Sequence, residues 1–395
     1  MSNMNKLNGW TVDGGYTSLT SAQSNLTSDR GNMKTVKFLS IIMLVLLIMN
    51  PIVTAQKNDI FVNPNSGNDQ NTGSQEQPLK TLNEAARRVN ESNGTGPVTI
   101  YLSDGIYGLT ATATFHPVNW HFSKDQRLTI RAAILPDDAD WNPGMMPVII
   151  STMPLDFKPN GRQDPLGGAS YGIQIETSYV TIQGLRVLGT PVHERPKEGM
   201  VKRNYPIVRE GRNLDDLRIT QCLFAGDEQV IPNHLGVLAS GQGIVVDHCV
   251  FYQCKDAVVY WFSDKPAERC ELHHNLMIDN YGAAVWSWTV ADDFKFYNNV
   301  VSNNNVFWEA GRDENRTYSL SNSIVVGYNS LVNKGGGAFG YGEPVDPKRL
   351  IYGNDVIIKK EGSLQIEKDQ TKRNYLHLVP GTLGADLGAG LFIKD

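Results

Sequence analysis

The sequence predicts an all-β solenoid, a coil of stacked parallel strands, and three observations carry that expectation. The first is a repeat. Five segments share the pattern apolar-x-apolar-x-x-small/polar-x-apolar: Leu217, Ile219, Cys222, Phe224; Ile244, Val246, Cys249, Phe251; Cys270, Leu272, Asn275, Met277; Phe294, Phe296, Asn299, Val301; and Tyr318, Leu320, Ser323, Val325. The column Cys222, Cys249, Asn275, Asn299, Ser323 advances by 27, 26, 24 and 24 residues. A sixth copy, Leu350, Tyr352, Asp355, Ile357, follows after 32, the excess being a Gly-rich loop over 335–347. Self-similarity at a near-constant period marks a solenoid whose repeats bury their apolar edges against their neighbours. The second observation is alternation of period two within each repeat, which makes the coil one of strands. The third is a further short strand at a fixed offset, over 257–262, 283–288 and 307–310, each beginning eight residues after its column residue. Coils of about 24 residues wound from two or three short strands, with no helical connections, form a parallel β-helix.

The elements follow in chain order. Residues 1–32 are polar and show no apolar periodicity. Met33-Lys-Thr-Val-Lys then precedes an apolar run over 38–49, Pro51, and Val53-Thr-Ala55. A basic start, an apolar core and small residues before a cut fit a secretory signal, so 33–55 reads as a signal peptide cleaved after Ala55, with translation starting at Met33. The run over 38–53 is broken by Asn50 and Pro51 and falls short of the roughly 20 residues a membrane span needs. The membrane is thus expected as a partner only through export. Residues 56–395 read as one domain, because a solenoid lengthens without thickening its core.

Thr81 and Glu84 form a capping-box pattern, and Leu82, Ala85, Ala86 and Val89 make an apolar stripe, predicting a short helix that lids the first coil. Prolines at 117, 136, 143, 147, 154, 159 and 165 predict irregular early coils. Leu185 fits the Cys/Asn column but stands 37 residues before Cys222, so this coil carries an insertion over 189–204. In a stacked coil, Asn275 and Asn299 are placed to share amide hydrogen bonds, Ser323 can extend the ladder, and Cys222, Cys249, Cys254 and Cys270 read as small buried residues rather than disulfides.

These residues resemble the right-handed parallel β-helix proteins of the pectin-lyase-like superfamily. The opening, Ile60-Phe-Val-Asn-Pro-Asn-Ser-Gly-Asn-Asp and Gln77-Pro-Leu-Lys-Thr-Leu-Asn-Glu-Ala-Ala, is similar to the family's N-terminal strand, turn and capping helix. Val98-Thr-Ile-Tyr-Leu-Ser-Asp-Gly-Ile-Tyr is similar to its first coil, and 376–390 to a closing coil. The resemblance implies a single-stranded right-handed parallel β-helix with a short N-terminal capping helix. It leaves the activity open, because the superfamily holds polysaccharide lyases, glycoside hydrolases, epimerases and noncatalytic adhesins.

The resemblance places substrate across the strands that follow the Cys/Asn turn, over 173–176, 206–210, 235–239, 258–262, 284–288 and 306–310. Spacing from the column turns Val258, Tyr260, Ala284 and Trp286 inward and Trp261, Ser287 and Glu309 outward; a slip of one residue exchanges the two sets. Glycoside hydrolysis needs two carboxyls about 5 to 5.5 Å apart for retention or about 6.5 to 9.5 Å for inversion. Glu309 with Asp313 or Asp292 is the preferred catalytic pair, Glu210 with Glu228 the rival, and His234 a candidate acid or base. Trp261 is a subsite floor, with His193, Lys202, Arg203, Arg209, Lys255 and Arg312 as further substrate-binding candidates. His248, His273 and His274 are expected to flank the ladder as hydrogen-bonders.

Three readings stay open, in this order: an exported polysaccharide-degrading glycoside hydrolase, which requires no cofactor; a polysaccharide lyase on an acidic, uronate-containing glycan; and a noncatalytic glycan-binding or surface protein. For the lyase the resemblance implies a Ca²⁺ that neutralises the uronate, and Asp264 and Asp293 are its candidate ligands, since Ca²⁺ takes roughly six to eight oxygens. A polysaccharide or oligosaccharide is the expected partner in each case. A net charge of −5 without a long basic run argues against nucleic acid.

Overall fold

The computed structural model describes residues 58–153, 169–190, 203–209, 213–227, 235–261, 265–288, 290–311, 316–336, 340–353 and 355–394. The chain divides after Thr54 into two units, and all described residues fall in the second, Ala55–Asp395. A ten-stranded sheet takes its strands in chain order, from Asn58–Val62 through Leu217–Thr220, Ile244–Asp247, Glu271–His273, Lys295–Tyr297 and Tyr318–Ser321 to Leu350–Tyr352. Every neighbouring pair in it is parallel. Leu272 lies against Phe296, Phe296 against Leu320 and Leu320 against Tyr352, so the sixth repeat joins the stack in register. The parallel β-helix is the observed fold.

Each coil has two strands after the column, which adds two more faces. The second face holds Arg186–Gly189, Leu223–Ala225, Val250–Tyr252 and Leu276–Ile278; the third holds Ala169–Ile175, Arg203–Arg209, Leu235–Ala239, Asp256–Tyr260 and Ala283–Ser287. The two faces merge where Val300–Ala310 and Ile324–Lys334 run unbroken through both. Leu185 is buried above Cys222, and its carbonyl accepts from Leu223 N–H at 2.9 Å, as the column spacing predicts.

The corners explain the repeat chemically. Gln221, His248, His274, Asn298 and Asn322, each directly before a column residue, have φ between 40° and 54°. This left-handed conformation penalises most side chains, and Asn and His tolerate it better than others. The column residue then points inward beneath the turn. Cys249 N–H donates to Asn275 Oδ1 (3.0 Å), Asn275 Nδ2 donates to Asn299 Oδ1 (3.1 Å), and Asn299 N–H donates to Ser323 Oγ (3.1 Å). The four cysteines are buried and free. A second ladder, which sequence reading missed, begins at the next corner: Cys254 N–H donates to Asn280 Oδ1 (2.9 Å), and Asn304 Nδ2 to Met277 O (3.0 Å). Its corner residues Gln253, Asp279 and Asn303 are also left-handed.

The predicted helix, α1, spans Leu82–Glu91 and buries Leu82, Ala85, Ala86 and Val89. Thr81 caps it by accepting from Glu84 N–H at 3.1 Å. The reciprocal half of the capping box does not form. Asp69 Oδ1 takes the Thr81 N–H instead (2.8 Å), and Glu84 turns to Arg87 and Arg88, which hold its carboxyl down at about 2. Asn83 and Asn90 donate to Ala111 O and Thr114 O, pinning α1 over the edge of the third face.

The C-terminal segment corrects the sequence reading. Residues 376–390 make turns rather than a closing coil, and Tyr375, Leu376, Leu378 and Leu391 pack with Leu223, Val250, Leu276 and Val300. That cover is why short strands of the second face are apolar on both sides. Asp137 Oδ1 accepts from Ile393 N–H, and Arg373 donates to the carbonyls of Pro136, Asp138 and Trp141.

Candidate active site

Parallel register stacks Val208, Leu238, Val259, Trp286, Glu309 and Asn333 into one column on the third face. The neighbouring column, Val237, Val258, Val285, Trp308 and Val332, faces the core. The first column is therefore the outer one. Leu238, Val259 and Trp286 join a separate apolar cluster with Tyr205, Ala283 and Val306, bordered by Trp261, Trp288 and Tyr341. Trp286 stacks on Trp288 at 5.9 Å, Trp261 lies 5.2 Å from Trp288, and Tyr171 stacks on Tyr205 at 5.6 Å. An aromatic strip thus runs along the outside of this face.

Two glycines of the Gly-rich segment, Gly336 and Gly342, meet the same face. Gly336 N–H and Gly342 N–H both donate to Glu309 Oε1, at 2.9 and 3.0 Å. A methyl group on Gly336 would stand 2.5 Å from Glu309 Oε1, and one on Gly342 would stand 2.1 Å from Lys334 O, so only glycine permits this approach. Glu309 is fully buried, and its Oε2 has no hydrogen-bond partner among the described residues. Desolvation raises its pKa above the ordinary 4.5, against the pull of the two glycine N–H groups. On the paired strand position, Trp286 Nε1 is likewise buried without a partner among the described residues.

Asp256, at the head of its strand, is the second carboxyl. Its Oδ1 accepts from Ala283 N–H (2.7 Å) and from Tyr341 OH (2.8 Å), and its Oδ2 faces Lys255 Nζ at 3.2 Å. Burial, followed by the charge of Asp256, pushes the Tyr341 phenol up, so it stays a protonated donor. The Tyr341 ring packs 5.8 Å from Trp286, and Lys255 Nζ lies 5.7 Å above it. One carboxyl is desolvated and short of partners while the other is fully hydrogen-bonded. Such a difference in environment separates an acid role from a base or nucleophile role.

The predicted residues distribute as follows. Glu309 points outward as expected and is held by Gly336 and Gly342. Trp261 sits half-buried at the edge of the aromatic strip. Lys255 joins the site as the partner of Asp256. In Ala283–Ser287, Ala284 packs in the core as expected, but Trp286 faces outward and Ser287 faces the core, accepting from Trp308 Nε1 at 2.8 Å. Arg209 is on the core side of its strand, fully buried, donating to Ser240 O and Gln242 O at 2.8 and 3.0 Å. It closes a turn instead of facing substrate, and burial lowers its pKa to about 10. Asp292 is 83% exposed on the turn entering the first sheet, where it pairs with Arg316 at 3.5 Å. Asp293 accepts from Arg269 N–H at 2.8 Å, as part of a turn network in which Arg269 also pairs with Asp215. Glu210, Glu228, His234, His193, Lys202, Arg312, Asp313 and Asp264 lie outside the described residues, and of Arg203 only the backbone, in Arg203–Arg209, is described.

Sequence reading missed Asp256 and Tyr341. The available signal was the long interval of 32 before the sixth copy, since an insertion in a solenoid projects over one face. A cleft of about 530 Å³ over Asp279, Asn303, Tyr328 and Lys360 lies on a different corner, where Asn303 Nδ2 bonds Asp279 at 2.8 Å.

No family model matches the chain, and no curated protein sequence does. Among solved structures it is similar to a GH136 lacto-N-biosidase from Eubacterium ramulus, at 10% identity and a TM-score of 0.44, over 76% of this chain and 58% of that one. It is also similar to a pectate lyase, at 13% identity and a TM-score of 0.47, over 84% and 91% of the two chains. A rhamnogalacturonan lyase matches at 12% identity and a TM-score of 0.41, over 85% and 99%. The chain thus spans little more than half of the lacto-N-biosidase it matches. Two arrays of parallel strands wound coil on coil, reached from a repeat whose residues resemble the pectin-lyase-like superfamily, make this chain a parallel β-helix protein.

Proposed function

We propose that the protein is a glycoside hydrolase acting on a polysaccharide, with Glu309 as general acid and Asp256 as the base or nucleophile. The single observation that carries this reading is the pairing of unmet groups on the outer face: Glu309 Oε2 and Trp286 Nε1, both buried and without partners among the described residues, side by side on adjacent strands. A buried acceptor and a buried donor left open cost about 1–3 kcal/mol each unless a ligand satisfies them. Sugar hydroxyls and a glycosidic oxygen are ligands of the right kind, and the aromatic strip offers apolar faces to pyranose rings. Glu309, whose carboxyl desolvation shifts toward the protonated form, can deliver its proton to the leaving oxygen. Asp256, held by Tyr341, Ala283 and Lys255, supplies the second carboxyl.

The lyase reading is weaker on this geometry. Elimination needs a base free to take a carbon-bound proton and a cation to neutralise the uronate. Arg209 is committed to the core, and Lys255 is engaged by Asp256.

A panel of neutral and acidic polysaccharides, incubated with the protein with and without chelator, separates these readings. The hydrolase reading predicts chelator-insensitive release of reducing ends without ultraviolet-absorbing unsaturated products. Chelator-sensitive release of unsaturated uronates would replace it with the lyase, and binding without release would replace both with a glycan-binding protein.

A further inference from the structure

We propose that His248, His273 and His274 form a site for a first-row transition-metal dication, with Zn²⁺ as the natural test ion. The site is independent of the hydrolase reading: it lies at the corner between the first and second faces. His248 and His274 are the left-handed corner residues of successive coils, and their rings stack 4.7 Å apart at 11°. His273 ends the strand Glu271–His273, and its ring stacks on Tyr297 at 4.6 Å. One ring nitrogen from each of the three lies within 4.8 Å of the others, and His273 Nδ1 is 2.9 Å from His274 Nδ1.

Two features go beyond a chance cluster. His248 is only 9% exposed, and its Nδ1 is buried with no hydrogen-bond partner among the described residues. A buried ring nitrogen left without a partner is open to a ligand. Second, outer partners are in place. Asn298 Nδ2 lies 2.7 Å from His274 Nε2, and a flip of that amide would present Oδ1 as the acceptor a metal-bound imidazole needs. Asp247, buried and paired with Arg218, supplies a nearby negative charge.

The geometry suits imidazole-binding ions. Zn–N bonds of about 2.0–2.1 Å in a tetrahedron set ligand nitrogens about 3.3 Å apart, which small ring rotations here achieve. Three imidazoles with no carboxylate in the set favour Zn²⁺, Cu²⁺ or Ni²⁺ over Ca²⁺ or Mg²⁺. Bound metal would clip two coils together beside the tail, since Gly390 N–H also donates to His274 O at 2.9 Å.

The test is a Zn²⁺ titration of the metal-free full chain by calorimetry, beside the double variant His248→Asn/His274→Asn. Asparagine already fills the equivalent corner positions at Asn298 and Asn322, so the variant keeps the backbone conformation. The expected result is one Zn²⁺ per chain, affinity lowered at least about tenfold in the variant, and slower amide exchange at Gly390–Phe392 when wild-type protein is loaded. Absence of saturable Zn²⁺ binding by the wild type overturns the proposal, and so does equal affinity in the variant, which would place the ion on other histidines.

Discussion

Replacing Glu309 with glutamine is expected to cut reducing-end release by about 10²–10⁴-fold while the protein stays folded, because general acid catalysis contributes on that order. The substitution is close to isosteric. Its amide oxygen can accept from Gly336 and Gly342 as Oε1 does now, so the Gly-rich loop keeps its anchor. The stability consequence has a definite sign. A carboxyl whose folded-state pKa is raised stabilises the native state fully below its ordinary value of 4.5 and loses that contribution as pH rises through the raised value. Glutamine has no such loss, so the variant should gain thermal stability relative to wild type as pH climbs above 4.5. Gain of stability with loss of turnover is the signature of an acid held for chemistry. Circular dichroism melts at several pH values beside release assays read both, and an undiminished rate would remove Glu309 from the site.

Asn299→Leu should be the most damaging single change outside the site, costing about 3–6 kcal/mol. The side chain is fully buried; its Oδ1 accepts from Asn275 N–H (3.0 Å) and Asn275 Nδ2 (3.1 Å), and its Nδ2 donates to Leu272 O (2.7 Å). Leucine of similar size satisfies none of these, and each orphaned buried group costs about 1–3 kcal/mol. The loss is concentrated between two coils, and in a solenoid a broken interface uncouples the segments on either side. Chemical denaturation should therefore show a lower midpoint and a broadened transition. Asn329→Ala, which removes an exposed rung to Asn305 (2.9 Å), should stay within about 0.5 kcal/mol of wild type. Equal effects from the two substitutions would contradict the ladder's role.

The fold was legible because stacking forces regularity onto the sequence. A residue at the Cys/Asn column must be small, inward and able to satisfy the turn above it, so Cys222, Asn275 and Ser323 recur at the coil period. The tail was not legible. Leu376 and Leu391 bury against the outer side of the second face, and irregular turns carry no period to read. The outward direction of Glu309 followed from strand alternation, but its partners did not. Tyr341 reaches Asp256 across 85 residues and Gly342 reaches Glu309 across 33, through a loop whose glycines mark freedom rather than destination. Arg209 shows the opposite limit. Its charge reads as surface, yet its guanidinium fits the core by closing a turn through Ser240 and Gln242.

The most direct test is a carbon-13 NMR titration of the Glu309 carboxyl in the unliganded protein, assigned by comparison with Glu309→Gln. A resonance that titrates above 4.5 would match a desolvated carboxyl on the outer face, poised to give up its proton. Titration at or below that value would mean a solvated or ion-paired glutamate, and the proposed division of labour between Glu309 and Asp256 would fall.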